Sequence, residues 1–578
     1  MVELKWARTL ADETSADRLL DLTRNISREV RLSGTEEERR SAEYVKGVLE
    51  QAGVEAELLF HTAYISLPGP AEIRVGAQRF PCITHSFAPP AGPQGVAGKL
   101  TDIASPSDAA DGRVRGKVAI LDGLAMTGWV AAVEAGGAVA QIFVNGNLTH
   151  EMIVSGVWGS PGMADRHRYP KTPVVSVTKE IGTQLRERLR KGDVEVRIFS
   201  EVDTGWRTTP LVLGNVKASG TQDFVLLSGH LDSWHLGAMD NGGANALMCE
   251  AARIFAAHRD RLRRGLRVAF WSGHSHGRYS GSAWYADTHW RELRDHCVAH
   301  VNVDSIGGMG ATVLTEGTAM ASTRALGAEA IAQFADVVFE GARAGRAGDQ
   351  SFVALGVPSL WMSVSEQPPS DHPTARALAS AVGNARSGGL GWWWHTVEDT
   401  IDKLDPEFLL RDAQIYLVAL GKLLGEPLLP LSAGDEAKEL AGRLDELDSA
   451  GKGRLDLTST VAAARAAHAA GVRLDEWRAA HADGGNERQA EVFNHALARF
   501  LQGLIVANYS AYGPYGQDPA AGMKPLPQLD QARALSALDA DSDEAHLMTV
   551  DLVRARNRVE DLIVQAAQTA GQALAELG

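Results

Sequence analysis

The sequence predicts an α/β fold, a mostly parallel sheet with helices on both faces, joined to a β-rich inserted domain and an all-α C-terminal domain. Three observations predict it. Residues 208–425 alternate apolar runs of strand length, DFVLLSGHL and LRVAFWSG, with stretches such as ANALMCEAARIFAAH that carry apolar residues at helical spacing. That alternation belongs to sheets covered on both faces. Residues 62–200 instead string short β-branched runs (VRGKVAILDG, AQIFVNG, TPVVSVT) between Pro and Gly turns, with one helix around Gly128 to Ala135. Residues 431–578 read as amphipathic helix almost throughout, broken by a Pro- and Gly-rich stretch from Tyr512 to Gln528.

At 578 residues the chain is too long for one hydrophobic core. The expected units are residues 1–61 with 206–430, an insertion at 62–205, and a helical unit at 431–578. Residues 14–57 read as two helices. The run TEEE from Thr35 to Glu38 predicts a capping box for the second, and Gly53 its end.

Composition excludes several partner classes. Hydrophobic residues make up 45% and charged residues 22%, an ordinary globular balance. The formal net charge of -15 argues against nucleic acid, which needs a basic face. The basic run RERLRK, Arg186 to Lys191, reads as the solvated end of a helix. Three cysteines, Cys82, Cys249 and Cys297, suit a reducing compartment. The first residues have no apolar core of signal-peptide length, and no stretch reaches the ~20 apolar residues of a membrane span. A cytoplasmic protein without a membrane contact is expected; the sequon at Asn147 stands alone.

The chemistry concentrates in four segments. Gly229-His230-Leu231-Asp232 is followed by Gly237-Ala238-Met239-Asp240-Asn241, then Asn302-Val303-Asp304, then His395-Thr396 with Asp399, Asp402 and Asp405. Each falls at the end of an expected strand, where α/β sheets bind ligands. Alone, His230 reads as a hydrogen-bonded structural histidine, the DNGG at Asp240 as a turn and Asp304 as a helix cap. In one order on one sheet they read as a metal site, since imidazole and carboxylate together suit zinc or a similar metal. One carboxylate can bridge two cations ~3.5–4 Å apart, the spacing of co-catalytic hydrolysis.

These segments resemble the dizinc aminopeptidase and glutamate carboxypeptidase II family. GHLDSWHLGAMDNGGANALMCEAARI resembles its first metal segment, and NVDSIG and HTVEDTIDKLD resemble later ones. The resemblance implies two divalent metal ions, zinc foremost. It implies His230 and Asp304 on one ion, His395 on the other, Asp240 bridging, and Asp232 as an acid that orients His230. It also implies a protease-associated domain at 62–205 and a helical domain at 431–578 through which the family dimerises, hence a homodimer.

One segment departs from that family, whose members carry two adjacent glutamates as general base and metal ligand. Here the chain reads FWSGHSHGRYSGS from Phe270 to Ser282, with no glutamate from Ala251 to Arg291. Counted from the strand, His274 takes the base position. Counted back from Gly281-Ser282, His276 takes the ligand position, and a one-residue insertion at Ser275 reconciles the two. The alternative is that both histidines only line a loop. Arg278, Tyr279 and Asp349 are candidates to orient substrate, as are Gln350 and His235. Of Trp392-Trp393-Trp394, Trp394 is the candidate pocket wall beside His395.

The function expected is hydrolysis of an amide or peptide-like bond in a small substrate, with histidine in place of the glutamate base. The missing glutamates keep two alternatives open. One is a lyase, cyclase or transferase on the same scaffold; the other is a binding relative without catalysis.

Overall fold

The computed structural model describes residues 2–382, 390–482, 484–520 and 522–578. Helices Val2–Ala11, Ala16–Ile26 and Glu36–Gln51 open the chain; the first lies ahead of the stretch expected to be helical. The third starts as its sequence asks. The Thr35 hydroxyl accepts from the Glu38 N–H, while the Glu38 carboxylate takes the Gly34 N–H at 2.6 Å, one residue before the cap itself. Gly53, at φ +73°, ends it in the left-handed conformation that glycine adopts without strain.

The strands are β1 (Glu55–Val75), β2 (Gln78–Thr84), β3 (Val96–Asp102), β4 (Val118–Asp122), β5 (Ala140–Val144), β6 (Val174–Val177), β7 (Glu195–Val216), β8 (Phe224–His230), β9 (Gly265–Trp271), β10 (Cys297–Asn302), β11 (Thr318–Ala319), β12 (Ala342–Arg343) and β13 (Ser359–Leu360). Their order is β1-β2-β6-β5-β4-β3-β7-β9-β8-β10-β13-β11-β12, and β1 also pairs with β7. The first seven strands therefore close on one another. The long strands β1 and β7 run on as one antiparallel ribbon, Glu55 opposite Asn215 to Arg74 opposite Arg197. The expected boundaries at 61/62 and 205/206 fall inside these two strands.

From β7 the sheet continues as the mostly parallel set the sequence predicts. β8 lies parallel to β9 and β10, and β10 to β13; β7 and β11 run antiparallel to their neighbours β9 and β13. Every residue of β8 and β10 is buried, which is why they read as unbroken apolar runs rather than alternating ones. Val225 and Leu227 face the core under helices Ala244–Ala257 and Pro406–Gly425. Phe224 and Leu226 face Tyr285, Leu293 and Phe352 on the other side. The parallel pairing of β8 with β9 and β10 brings their carboxyl ends to one edge, and His230, the His274 loop and Asp304 leave the sheet there.

Helices Ala433–Gly451, Thr458–Ala480, Glu487–Tyr509 and Asp543–Leu577 pack as a bundle against the sheet domain. Among the described residues no helix is long and apolar enough to cross a membrane.

Several histidines are buried neutral, His85 and His300 among them. His85 lies with Nε2 2.8 Å from Ser176 Oγ, and His300 on β10 with Nε2 2.8 Å from Ser228 Oγ. Burial pushes both down to about 3. In the unfolded chain each titrates near ~6.5. A depressed histidine leaves stability intact above ~6.5 and removes it as pH falls toward the folded value, by about 1.4 kcal/mol per pH unit. Urea unfolding at pH 7 and pH 5 should show the parent losing about 2 kcal/mol more than His85→Gln over that interval. Equal losses in the two proteins would remove His85 from the acid limb.

Candidate metal centre

His230 closes β8, and its Nδ1 lies 2.8 Å from the main-chain oxygen of Asp232. That contact makes Nδ1 the donor and leaves Nε2 as a lone pair. Nε2 faces Asp240 Oδ1 at 2.8 Å and Asp304 Oδ1 at 3.8 Å. His395 repeats the arrangement from another loop: its Nδ1 lies 2.7 Å from the main-chain oxygen of Glu151, and its Nε2 faces Asp240 Oδ2 at 3.1 Å. One buried carboxylate thus offers each of its oxygens to a different imidazole.

Acceptor facing acceptor in a buried site is unfavourable unless a proton or cation lies between. Donors about 2.0–2.2 Å from a tetrahedral zinc stand roughly 3.3 Å apart, and the 2.8, 3.1 and 3.8 Å separations straddle that value. The residues fit divalent cations. Without them, burial favours a neutral His230, but Asp240 and Asp304 outweigh it and hold the imidazole well above its ordinary value. Burial likewise favours protonated Asp240, yet His230 and His395 hold it well below the usual carboxylate range.

The turn that carries Asp240 is held from outside itself. Gly237, at φ +56°, lets the chain pass so closely that a Cβ there would meet the Asp240 oxygen at 2.3 Å. The Asp399 carboxylate accepts from the Met239 and Asp240 N–H groups at 2.9 and 3.0 Å, and burial and then Asp240 push it up to about 7. Asp399 thus caps this turn. Arg31, fully buried, reaches the carbonyls of Leu231, Leu236 and Gly237 at 2.8, 2.8 and 3.2 Å. No local motif marks Arg31, and sequence reasoning missed it.

The His274 loop hangs on Asp232. Its carboxylate accepts from Ser33 Oγ at 2.7 Å, His274 N at 3.2 Å and Ser275 N at 2.8 Å. The expected orienting of His230 by Asp232 is done by the main-chain oxygen, while the carboxylate holds the loop. His276 Nδ1 lies 3.0 Å from Ser33 Oγ, its ring centre 4.3 Å from that of Trp234, and its buried Nε2 has no hydrogen-bond partner. Burial lowers it to about 4.

His274 stacks on His230, ring centres 3.8 Å apart and planes 16° apart, with Nδ1 2.8 Å from Asp349 Oδ2. His230, His274 and Asp304 offer ligand atoms within 4.8 Å of one another. Stacked rings, however, aim their in-plane lone pairs side by side rather than at one point. One cation therefore cannot take both imidazoles in this arrangement.

The orienting candidates separate. Tyr279 meets His274 edge-on at 4.7 Å, and Trp394 stacks on His395 at 3.4 Å. Arg278 is not brought to the cluster: its guanidinium binds the carbonyls of Ser155 and Ile153, both at 3.0 Å, and Thr127 Oγ1, all in the inserted part. Asp349 binds His274 and Ser282, and Gln350 donates to the Trp361 oxygen. His235 lies beside Trp234, Asp240 and His395, in packing that leaves no cavity of a water's size between them. Trp393 is core, 2% exposed, and Trp392 stacks on His372. Tyr279, Ser305, Asp349 and His395 all have positive φ, four of the nine such non-glycine residues among those described. Backbone strain gathers at this site, as it does at functional sites generally.

Known proteins resemble parts of this chain. Residues 212–420 match the profile of peptidase family M28. The chain is 31% identical over 124 residues to carboxypeptidase Q of Xenopus laevis, a match covering 20% of this chain and 26% of that one. It is 28% identical over 131 residues to the aminopeptidase NAALADL1 of Mus musculus, covering 22% and 17%. Each match thus spans about a quarter or less of the relative's length. The fold of a zinc aminopeptidase from Bacillus subtilis superposes with a TM-score of 0.55 at 18% identity, over 71% of this chain and 95% of that one. His230, Asp240, His274, Asp304 and His395 all lie within residues 212–420, the segment that matches peptidase family M28.

Proposed function

We propose that this protein is a metal-dependent hydrolase of an amide or peptide-like bond in a small substrate, working with two divalent cations, zinc foremost. The observation that carries the reading is the Asp240 carboxylate, shared between His230 Nε2 at 2.8 Å and His395 Nε2 at 3.1 Å, each imidazole having spent its Nδ1 on a backbone carbonyl. His230, Asp240 and Asp304 would hold one cation; Asp240, His395 and His276 the other. When bound, such a pair supplies a polarised carbonyl and an activated water.

The chain's own residues supply the rest. His274 manages the proton in place of a glutamate: with Nδ1 engaged by Asp349, its Nε2 keeps a lone pair beside the cluster. Trp234, Trp394 and Tyr279 wall the site with rings and exclude water from it. A neutral histidine where relatives of this type carry a ligand glutamate leaves the centre one unit more positive, which favours anionic substrates.

Purified protein loaded with zinc, cobalt or manganese should turn over members of a dipeptide and acyl-amino-acid panel and incorporate labelled water oxygen into product. Product without label would move the chain to a lyase, cyclase or transferase.

Two variants probe the centre. Asp240→Ala should retain neither cation after dialysis, because the bridging carboxylate belongs to both; full occupancy by elemental analysis would refute the bridge. His276→Ala should lose metal. His274→Ala should keep it and lose rate by ~10²–10⁴-fold, the ordinary worth of a general base. If the two variants exchange these behaviours, the base and ligand assignments are reversed.

A further inference from the structure

His274 ends a chain of buried hydrogen bonds that begins in another part of the molecule. Its Nδ1 lies 2.8 Å from Asp349 Oδ2, and Asp349 Oδ1 accepts from Ser282 Oγ at 2.7 Å. Ser282 Oγ is 2.9 Å from Ser351 Oγ, which accepts from the Trp158 indole N–H at 2.8 Å. The direction of every bond follows from its ends. An indole can only donate and a carboxylate can only accept. Ser351 therefore passes its hydrogen to Ser282, Ser282 passes its own to Asp349, and His274 must present Nδ1–H. Its Nε2 is left as a lone pair.

All five side chains are buried, so water does not compete for these bonds. Asp349 is held at φ +53°, a conformation that costs an aspartate free energy and that the surrounding contacts enforce. Trp158 belongs to the inserted part. It is clamped between the Tyr279 ring at 4.1 Å and the Arg346 guanidinium at 3.6 Å, and Arg346 is in turn held by Gln517 Oε1 and the Asp518 oxygen. The chain thus ties the His274 imidazole to both flanking parts of the protein.

We propose that Asp349 is a positioning residue that fixes the tautomer and orientation of His274, and that Trp158 of the inserted part completes this arrangement from outside the peptidase sheet. The proposal rests on the reading of His274 as the proton-handling group. Asparagine at 349 can donate to Nδ1 and so favours the opposite tautomer, as replacing a triad aspartate by asparagine does.

The test pairs kinetics with ¹⁵N-histidine NMR of the metal-loaded protein, the His274 signals assigned by their loss in His274→Gln. The parent should show an Nδ1–H tautomer. Asp349→Asn should switch it to Nε2–H and lower kcat by ~10²–10⁴-fold, with KM and metal content retained. Trp158→Phe keeps the ring and the fold but removes the donor; it should lower kcat on the order of tenfold with KM unchanged. An unchanged tautomer in Asp349→Asn, or kcat within about threefold of the parent, overturns the proposal. So does loss of metal in Asp349→Asn, which would make the pair a metal-holding arm. If the tautomer switches while the parent hydrolyses no amide, the positioning role stands and the hydrolase reading falls.

Discussion

The arrangement on which the rest depends is a buried carboxylate set between two imidazole lone pairs. Asp240 meets His230 at 2.8 Å and His395 at 3.1 Å in a site with almost no access to water. Such a contact is unfavourable on its own, and the surrounding structure is organised to hold it. Asp399 takes the two N–H groups at the head of the turn, Gly237 lets the backbone double back, and Arg31 gathers carbonyls from both ends of the loop. Arg31, Asp399 and Asp240 lie close enough to influence one another's ionisation. The positive charge of Arg31 partly balances the carboxylates around it.

Asp232 is the second fixed point. Its carboxylate carries the loop of His274 and His276, and its main-chain oxygen sets His230. One residue therefore keeps in register the histidine that closes β8 and the two that follow β9. Parallel pairing of β8 with β9, His230 opposite Trp271, brings those loops out side by side. Carrying histidines rather than glutamates, the loop needs a partner to set each imidazole. Asp349 serves His274 and Ser33 serves His276.

The flanking parts are not passive. The inserted part supplies the carbonyl that orients His395, the acceptors that take up Arg278, and the indole of Trp158. The C-terminal part fixes Arg346 through Gln517 and Asp518. The β1–β7 ribbon runs continuously from the closed seven-stranded part into the mostly parallel sheet and joins the two.

By itself the sequence determined the architecture and the residues that end strands. Apolar runs buried on both faces declare a covered sheet. His230 and Asp304 were legible because each sits at or just after the end of a strand whose apolar run declares it, and Asp240 because its loop follows the same strand as His230. His395, expected at a strand end as well, lies in a turn instead, the nearest preceding strand described being Ser359–Leu360. Only the tertiary structure decided which atoms meet. The Asp349–His274 contact joins residues 75 positions apart, and the Glu151–His395 contact residues 244 apart. Neither leaves a periodic trace, because a single hydrogen bond between loops constrains two atoms and not a pattern of residues. For the same reason Arg278 and Asp349 looked like substrate contacts until the fold showed their groups already engaged. The opening helix Val2–Ala11, too short to stand without a partner, became explicable only through its packing on Pro406–Gly425.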